Sequence, residues 1–319
     1  MNNRRNFLQK LGLLSASVAF APTLLASCDS STQKTTDATA TGEPAGAGTG
    51  GAGRASLQNI GIQLYTLRDL LPNDVKGVIP KVAQAGYQDV ETYGYSTETG
   101  YWGLQPQAFK DLLTANNLVS SSGHYDFNQY MKDGNLEIVK RYIEAGNTVG
   151  HTYLTVPYLS EDLRDSLDDY KVIAERVNKA AELCQQGNLK LAYHNHDFEF
   201  KQYEGGTGFD ILLKETDPAL VKFEADLFWM AKAGKDLGEM FRQNQGRFVM
   251  WHVKDMDKND PDLNTEVGSG SMDYKQIFSQ AELSGVTHIF IEQENFAAGT
   301  DPFQSIRQSR DYVKNTLLA

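Results

Sequence analysis

Cysteine is nearly absent: the 319 residues hold two, Cys28 and Cys184. That excludes a disulfide-stapled scaffold and leaves no thiolate cluster for a metal. Cys184 follows Val177, Ala180 and Ala181 at helical spacing and reads as a buried helix residue rather than a nucleophile. Basic side chains are also in short supply, with 30 Lys and Arg against 41 Asp and Glu, a net charge of −11. A surface that negative repels nucleic acid and anionic headgroups. No glycine-rich dinucleotide or phosphate turn follows any strand-like run. The apolar run from Leu11 to Ser27 is too short, and too interrupted by Pro22, to span a bilayer comfortably.

That run has a different use. Arg4 and Arg5 precede it, and it ends in Leu25-Ala26-Ser27-Cys28, the layout of an export signal with a small-residue cleavage site. The Arg-Arg pair, with Phe7, Leu8 and Lys10 behind it, resembles a twin-arginine leader, and Leu-Ala-Ser-Cys resembles a bacterial lipobox. The expectation is a leader over residues 1–27, lipidation at Cys28, and a periplasmic or membrane-anchored bacterial lipoprotein. An ordinary signal peptide with a chance cysteine is the simpler alternative. Residues 28–56 are rich in Ser, Thr, Ala and Gly and cannot bury a core, so they read as a tether. Removing residues 1–27 takes away three basic and no acidic side chains, which moves the net charge to −14.

From Leu57 the pattern alternates between strand-length apolar runs, polar or aromatic loops, and amphipathic helices. The expected strands are Ile60–Thr66, Asp89–Tyr93, Leu118–Ser122, Tyr153–Val156, the stretch Leu191–Phe200, Val221–Ala225, Phe248–Val253 and Thr287–Glu292. The helices between them are expected near 74–85, 106–116, 135–145, 164–186, 208–215, 237–244, 274–283 and 302–317. Eight strand–helix units over residues 57–319, with no run of hairpins, predict one (β/α)8 TIM barrel. An open doubly wound sheet is the rival, and it lacks its glycine turn.

In such a barrel the reacting groups lie where strand C-termini meet the following loops. The first strand brings Gln63 and Tyr65, the second Glu91, and the third His124 just past its end. LAYHNHDFEF, from Leu191 to Phe200, is the densest stretch: His194 and His196 share one face of an extended strand, with Glu199 close behind. The sixth strand offers Glu224 and Asp226, the seventh His252 and Lys254, the eighth Glu292 and Glu294. His151 and His288 fall at strand starts and read as structural. A charge inside a barrel strand costs on the order of several kcal/mol unless it is paired or metal-bound. An internal ion pair with Lys254 accounts for Asp226 or Glu292 taken singly; four such residues converging from strands five to eight favour a metal. Imidazole and carboxylate donors suit one divalent ion among Mn²⁺, Co²⁺, Zn²⁺, Fe²⁺, Ni²⁺ and Mg²⁺.

LAYHNHDFEF, FEADLFWMAKAG, FVMWHVKDMDK, VGSGSMDYKQIF and IFIEQEN, in that order and spacing, resemble the xylose isomerase-like sugar phosphate isomerase/epimerase family. The likeness runs over about Leu57 to Ala319. It implies one divalent metal held by a glutamate, an aspartate, a histidine and a second glutamate, the last three falling on Asp226, His252 and Glu292. Where many relatives have Glu-Asn-His, this chain has His194-Asn195-His196, so His194 stands at the first ligand's place. It is either an imidazole ligand or free, with His196, for proton transfer. The family's epimerases use the two glutamates as paired acid and base, and here one is missing.

The implied chemistry is proton abstraction next to a carbonyl. The expected catalytic groups are His194, His196, Glu292 and Lys254, with Lys254 reaching the substrate from two residues past His252; the expected substrate contacts are Gln63, Tyr65, Glu91, His124, Trp229 and Glu294. The expected activity is a metal-dependent isomerase or epimerase acting on an unphosphorylated sugar or glycoside. The alternative is a lyase or hydratase of 3-keto-sugars or 3-keto-glycosides, and a minority reading is a non-catalytic sugar binder with Tyr65, Tyr93, Tyr95, Trp102 and Trp229 stacked on a pyranose. The expected partners are a small sugar or glycoside, no nucleic acid, and a membrane only through the lipid anchor; self-association is left open.

Overall fold

The structure, a computed structural model, describes Leu57 and residues 59–319; the expected leader, lipidated Cys28 and tether lie outside the described residues. Eight parallel strands close into a barrel: β1 (Ile60–Gln63), β2 (Asp89–Thr92), β3 (Val119–His124), β4 (Tyr153–Val156), β5 (Lys190–His194), β6 (Val221–Asp226), β7 (Phe248–Val253) and β8 (His288–Ile291). Neighbours in sequence pair in space, and β8 closes on β1 through Ile62↔Ile291. The principal helices are α1 (Leu71–Gln84), α2 (Pro106–Ala115), α3 (Glu137–Val149), α4 (Leu167–Gln186), α5 (Gly208–Glu215), α6 (Leu237–Gln243), α7 (Tyr274–Phe278) and α8 (Pro302–Tyr312). Among the described residues no helix is long and apolar enough to cross a membrane.

Local chemistry sets these elements. The barrel strands are covered on both faces, so β7 is buried from end to end and reads as a continuous run rather than an alternation. Helix starts carry side-chain caps: Ser166 with Asp169 at α4, Thr207 with Asp210 at α5, Asp236 at α6 and Asp301 at α8. The large apolar core lies between strands and helices, whereas the barrel interior holds a small plug that includes Tyr153, Ala192, Met250 and Phe290. Above that plug the inward positions turn polar, with Glu91, Ser122, Thr155, His194, Glu224 and His252 all buried. The site rests on this polar layer.

Two expected strands end early. β5 stops at His194, and Phe198–Phe200 forms a 3-10 turn instead of extended chain. Asn195 is the reason: its Oδ1 accepts from the Asp226 backbone N–H at 3.1 Å, so a side-chain amide replaces the next rung of the β5–β6 ladder. Glu199 then closes the turn by accepting from the His196 N–H at 2.8 Å. β1 stops at Gln63, whose side chain accepts from Tyr65 N–H and starts a 3-10 turn over Leu64–Leu67. The helical segment after β3 is split into Asn128–Asp133 and α3, and that after β7 into α7 and Ala281–Ser284.

Gly61 marks the tightest point of the seam. A Cβ there would lie 2.4 Å from the Phe290 ring and 2.9 Å from the Ile289 carbonyl oxygen. Gly61→Ala is therefore expected to cost about 1–3 kcal/mol by overpacking. Thermal unfolding of the variant checks this, and adding Phe290→Leu should restore part of the lost melting temperature.

Candidate metal and substrate site

The strand C-termini bring the charged groups together in a cavity of about 420 Å³. Its floor is formed by His124 from β3, His194 and His196 from β5 and its turn, Lys254 after β7, and Glu292 and Glu294 after β8. Its mouth is formed by the loops after β1 to β4, including Tyr65, Tyr93, Tyr95 and Tyr158.

His252 sits just under the floor, fully buried, with a carboxylate at each end of its ring. Nε2 is 2.6 Å from Glu91 Oε2 and Nδ1 is 3.1 Å from Glu292 Oε2. Neither carboxylate donates, so both ring nitrogens carry protons: burial opposes the charge, and Glu224 and Glu292 outweigh it and hold the pKa well above the ordinary histidine value. A metal on Nδ1 would displace that proton, while Nε2 keeps its own on Glu91. Gln63 Nε2 and Ser122 Oγ also donate to Glu91, at 2.8 and 2.6 Å, and hold that carboxylate still. Burial alone would raise the Glu91 pKa; the His124 and His252 rings outweigh it and bring it to about 2. Glu224 goes the other way: burial and the nearby Glu91 charge push it to about 7. Three imidazole nitrogens converge on Glu224 Oε2, from His124 at 2.8 Å, His194 Nδ1 at 3.1 Å and His252 Nε2 at 3.2 Å.

The donor set fits a divalent metal. One ligand atom each from Asp226, His252 and Glu292 lies within 4.8 Å of the others. Asp226 Oδ1 accepts from the Trp229 N–H at 3.0 Å, and its buried Oδ2 has the Lys254 ammonium at 3.1 Å as its neighbour. Two buried carboxylates beside an imidazole nitrogen form the donor set that an N/O-ligated cation requires. His194 Nε2 lies 3.9 Å from Asp226 Oδ2, while His194 falls with His124, Glu224 and His252 in a second group of ligand atoms within 4.8 Å of one another. Its Nδ1 already faces Glu224, the arrangement in which a second partner orients a ligating imidazole.

Lys254 is more engaged than a free substrate contact would be. Its Nζ lies 2.7 Å from Glu292 Oε2, 2.6 Å from Glu294 Oε1 and 3.1 Å from Asp226 Oδ2, yet it also lines the cavity. Burial works against its charge, and these three carboxylates outweigh it and hold the pKa well above the ordinary lysine value. Asp255, the other carboxylate near it in sequence, instead accepts from the backbone N–H groups of Gly268, Gly270 and Met272. His196 faces the cavity with Nδ1 unpartnered, and burial lowers its pKa to about 3, so it is neutral near pH 7.

Three expected substrate contacts lie off the cavity wall. Gln63 and Glu91 are wholly buried beneath it and serve His252 instead. Trp229 stands behind His196, ring centroids 5.6 Å apart. Tyr65, His124 and Glu294 do line the cavity. Tyr158 was missed, although its place directly after β4 was the signal already used for the other strands. Of the two histidines read as structural, His151 is buried against Ser120 and Tyr125, and His288 opens β8; neither lines the cavity.

Residues 79–316 match the family model described as xylose isomerase-like TIM barrel. The chain belongs to that family. A sugar phosphate isomerase/epimerase from Parabacteroides distasonis superimposes with a TM-score of 0.71 at 27% identity, covering 81% of this chain and 94% of that one. Inosose dehydratases match more distantly: that of Clostridium tetani is 25% identical over 170 residues, 46% of this chain and 54% of the dehydratase. That of Geobacillus kaustophilus is 25% identical over 162 residues, 46% and 52% of the two chains. The chain spans about half the length of the dehydratases it matches.

Two tests follow from the geometry. Glu91→Ala should weaken binding of Mn²⁺ or Zn²⁺ about 10- to 100-fold, because the His252 tautomer is no longer held; titration calorimetry on metal-stripped protein reads it. Glu199 accepts from Tyr193 O–H and His196 N–H, and burial lifts its pKa from the ordinary 4.5 to about 8. The native state therefore binds this proton more tightly than the unfolded chain does. The resulting stabilisation is full below about pH 4.5 and declines as pH rises towards 8. Glu199→Gln should remove that decline, so its melting temperature should fall less than the wild type's between pH 5 and 8.

Proposed function

We propose that this protein is a metal-dependent carbon–oxygen lyase that removes the proton next to the carbonyl of an unphosphorylated keto-sugar and expels the oxygen substituent one carbon further on. The observation that carries this reading is the asymmetry of the floor: carboxylates Glu292 and Glu294 stand on the β8 side, and the imidazoles of His124, His194 and His196 stand on the β3–β5 side. The family's epimerases use a matched carboxylate pair across the substrate, whereas an elimination can be run from one side, an imidazole taking the proton from carbon and handing it to the departing oxygen.

Asp226, His252 and Glu292, with His194, would hold the metal. When bound it supplies Lewis-acid polarisation of the substrate carbonyl. Lys254 brings a second fixed positive charge to the same floor, where it would stabilise negative charge developing on the carbonyl oxygen. His196, neutral and with Nδ1 free, takes the carbon-bound proton. The imidazolium so formed returns that proton to the leaving oxygen. The products are an unsaturated ketone and water or, from a glycoside, the free alcohol. Among the described residues Lys254 is the one lysine or arginine that lines the cavity, and it is already paired with carboxylates, which favours an unphosphorylated substrate. An exported protein would meet such substrates outside the cytoplasm, in keeping with the Arg4–Cys28 leader pattern.

Isomerisation or epimerisation shares the first step and differs in returning the proton to carbon; the Parabacteroides relative's name supports it. Turnover of a 3-keto-glucoside and of a free ketose in D₂O separates the two. Release of alcohol or water is expected, and deuterium incorporation into an intact skeleton would assign the isomerase instead. His196→Ala should lower kcat about 10²- to 10⁴-fold with metal content unchanged. Loss of the metal in that variant would make His196 a ligand rather than the base.

A further inference from the structure

Resting on that reading of the floor, the structure assigns a second subsite to the cavity mouth: it takes a second, uncharged ring joined to the sugar below, so the substrate is a glycoside rather than a single ring. The exposed large hydrophobic side chains of the described residues include two aromatics, Tyr65 at 39% and Tyr158 at 40%, and both line this one mouth. Exposed aromatic faces gathered at a pocket rim are the usual surface for an apolar ring face.

Both are built in rather than loose. Arg164 lies 3.6 Å from the Phe198 ring centroid and 5.6 Å from that of Tyr158, and it donates to Tyr158 Oη at 3.2 Å. Tyr158 meets His196 and Phe198 edge-on, with centroids 5.6 and 5.4 Å apart. Across the cavity, Arg68 lies 4.8 Å from the Tyr65 centroid and donates to the Glu294 carbonyl oxygen at 2.7 Å. Tyr65 packs edge-on against Tyr93 at 5.1 Å, and Tyr93 against Trp102 at 5.1 Å. Each wall is thus backed by an arginine that does not itself line the cavity.

The charge at the mouth selects the occupant. Among the described residues lining the mouth Asp126 is the one carboxylate and no Lys or Arg lines it, Lys254 lying on the floor. The arginines behind the walls are already engaged, Arg68 donating to the Tyr65 and Glu294 carbonyl oxygens and Arg164 to the Leu159 carbonyl oxygen and Tyr158 Oη, so an anionic group on the outer ring would have to break those contacts and would face Asp126. A neutral sugar or aryl aglycone fits instead.

The test compares phenyl 3-keto-β-glucoside with free 3-keto-glucose on the full, metal-loaded chain. Wild type should favour the glycoside at least tenfold in kcat/KM. Tyr158→Ala should lose about tenfold on the glycoside through KM and less than twofold on free 3-keto-glucose, while Tyr158→Phe should retain wild-type values. Equal losses on both substrates, or no preference in wild type, would overturn the subsite. Calorimetry with unreactive phenyl β-glucoside keeps the two readings apart: Tyr158-dependent binding without turnover supports the subsite while removing the lyase. Turnover with no such binding preference removes the subsite alone, and neither binding nor turnover removes both.

Discussion

The imidazole of His252 is held between Glu91 and Glu292, and the rest of the site is arranged around that constraint. A fully buried ring with a carboxylate at each end has its orientation and both its protons determined by partners on β2 and β8, strands that flank β1 rather than β7 alone. Gln63 and Ser122 fix Glu91, Ser122 also reaches Thr155, and Lys254 bridges Glu292, Glu294 and Asp226. Each polar group is costly to bury alone and is tolerated because the next one satisfies it.

The barrel makes this possible by dividing its interior. Apolar side chains such as Met250 and Phe290 plug the lower half and free the upper half for polar groups. Gly61 has no side chain because the Phe290 ring occupies that space. The plug keeps water from reaching the polar layer from below, so electrostatic interactions there are strengthened and pKa values spread apart: Glu91 to about 2, Glu224 to about 7, His196 to about 3. On the floor, burial lowers the His194 and His196 pKa values, whereas at His124 burial is outweighed by Glu91 and Glu224 and the value rises, so the imidazoles opposite the β8 carboxylates are not all alike.

Much of this was legible in the chain. The eight-fold alternation of strand and helix identified the barrel, and the rule that chemistry gathers at strand C-termini picked out His124, His194, Asp226, His252, Lys254, Glu292 and Glu294. Gln63 and Glu91 were chosen by the same rule but lie one layer too deep, because depth along a strand depends on barrel stagger, which a single sequence does not display. The residue pattern predicts strand five out to Phe200, because an Asn side chain that mimics a backbone rung leaves no periodic trace. Tyr158 follows a short strand and carries no charge, so nothing local distinguishes it from a packing aromatic.

What the sequence determined by itself was the architecture and the inventory: periodicity sets which segments become strands and helices, and the order of those segments sets the closed parallel barrel. Only the tertiary structure decided the division of labour among the polar residues. Whether a carboxylate orients a histidine or pairs with a lysine depends on distances of 2.6 to 3.9 Å between strands far apart in the chain. Those distances are products of stagger, packing and burial acting together, and no local pattern of residues encodes them.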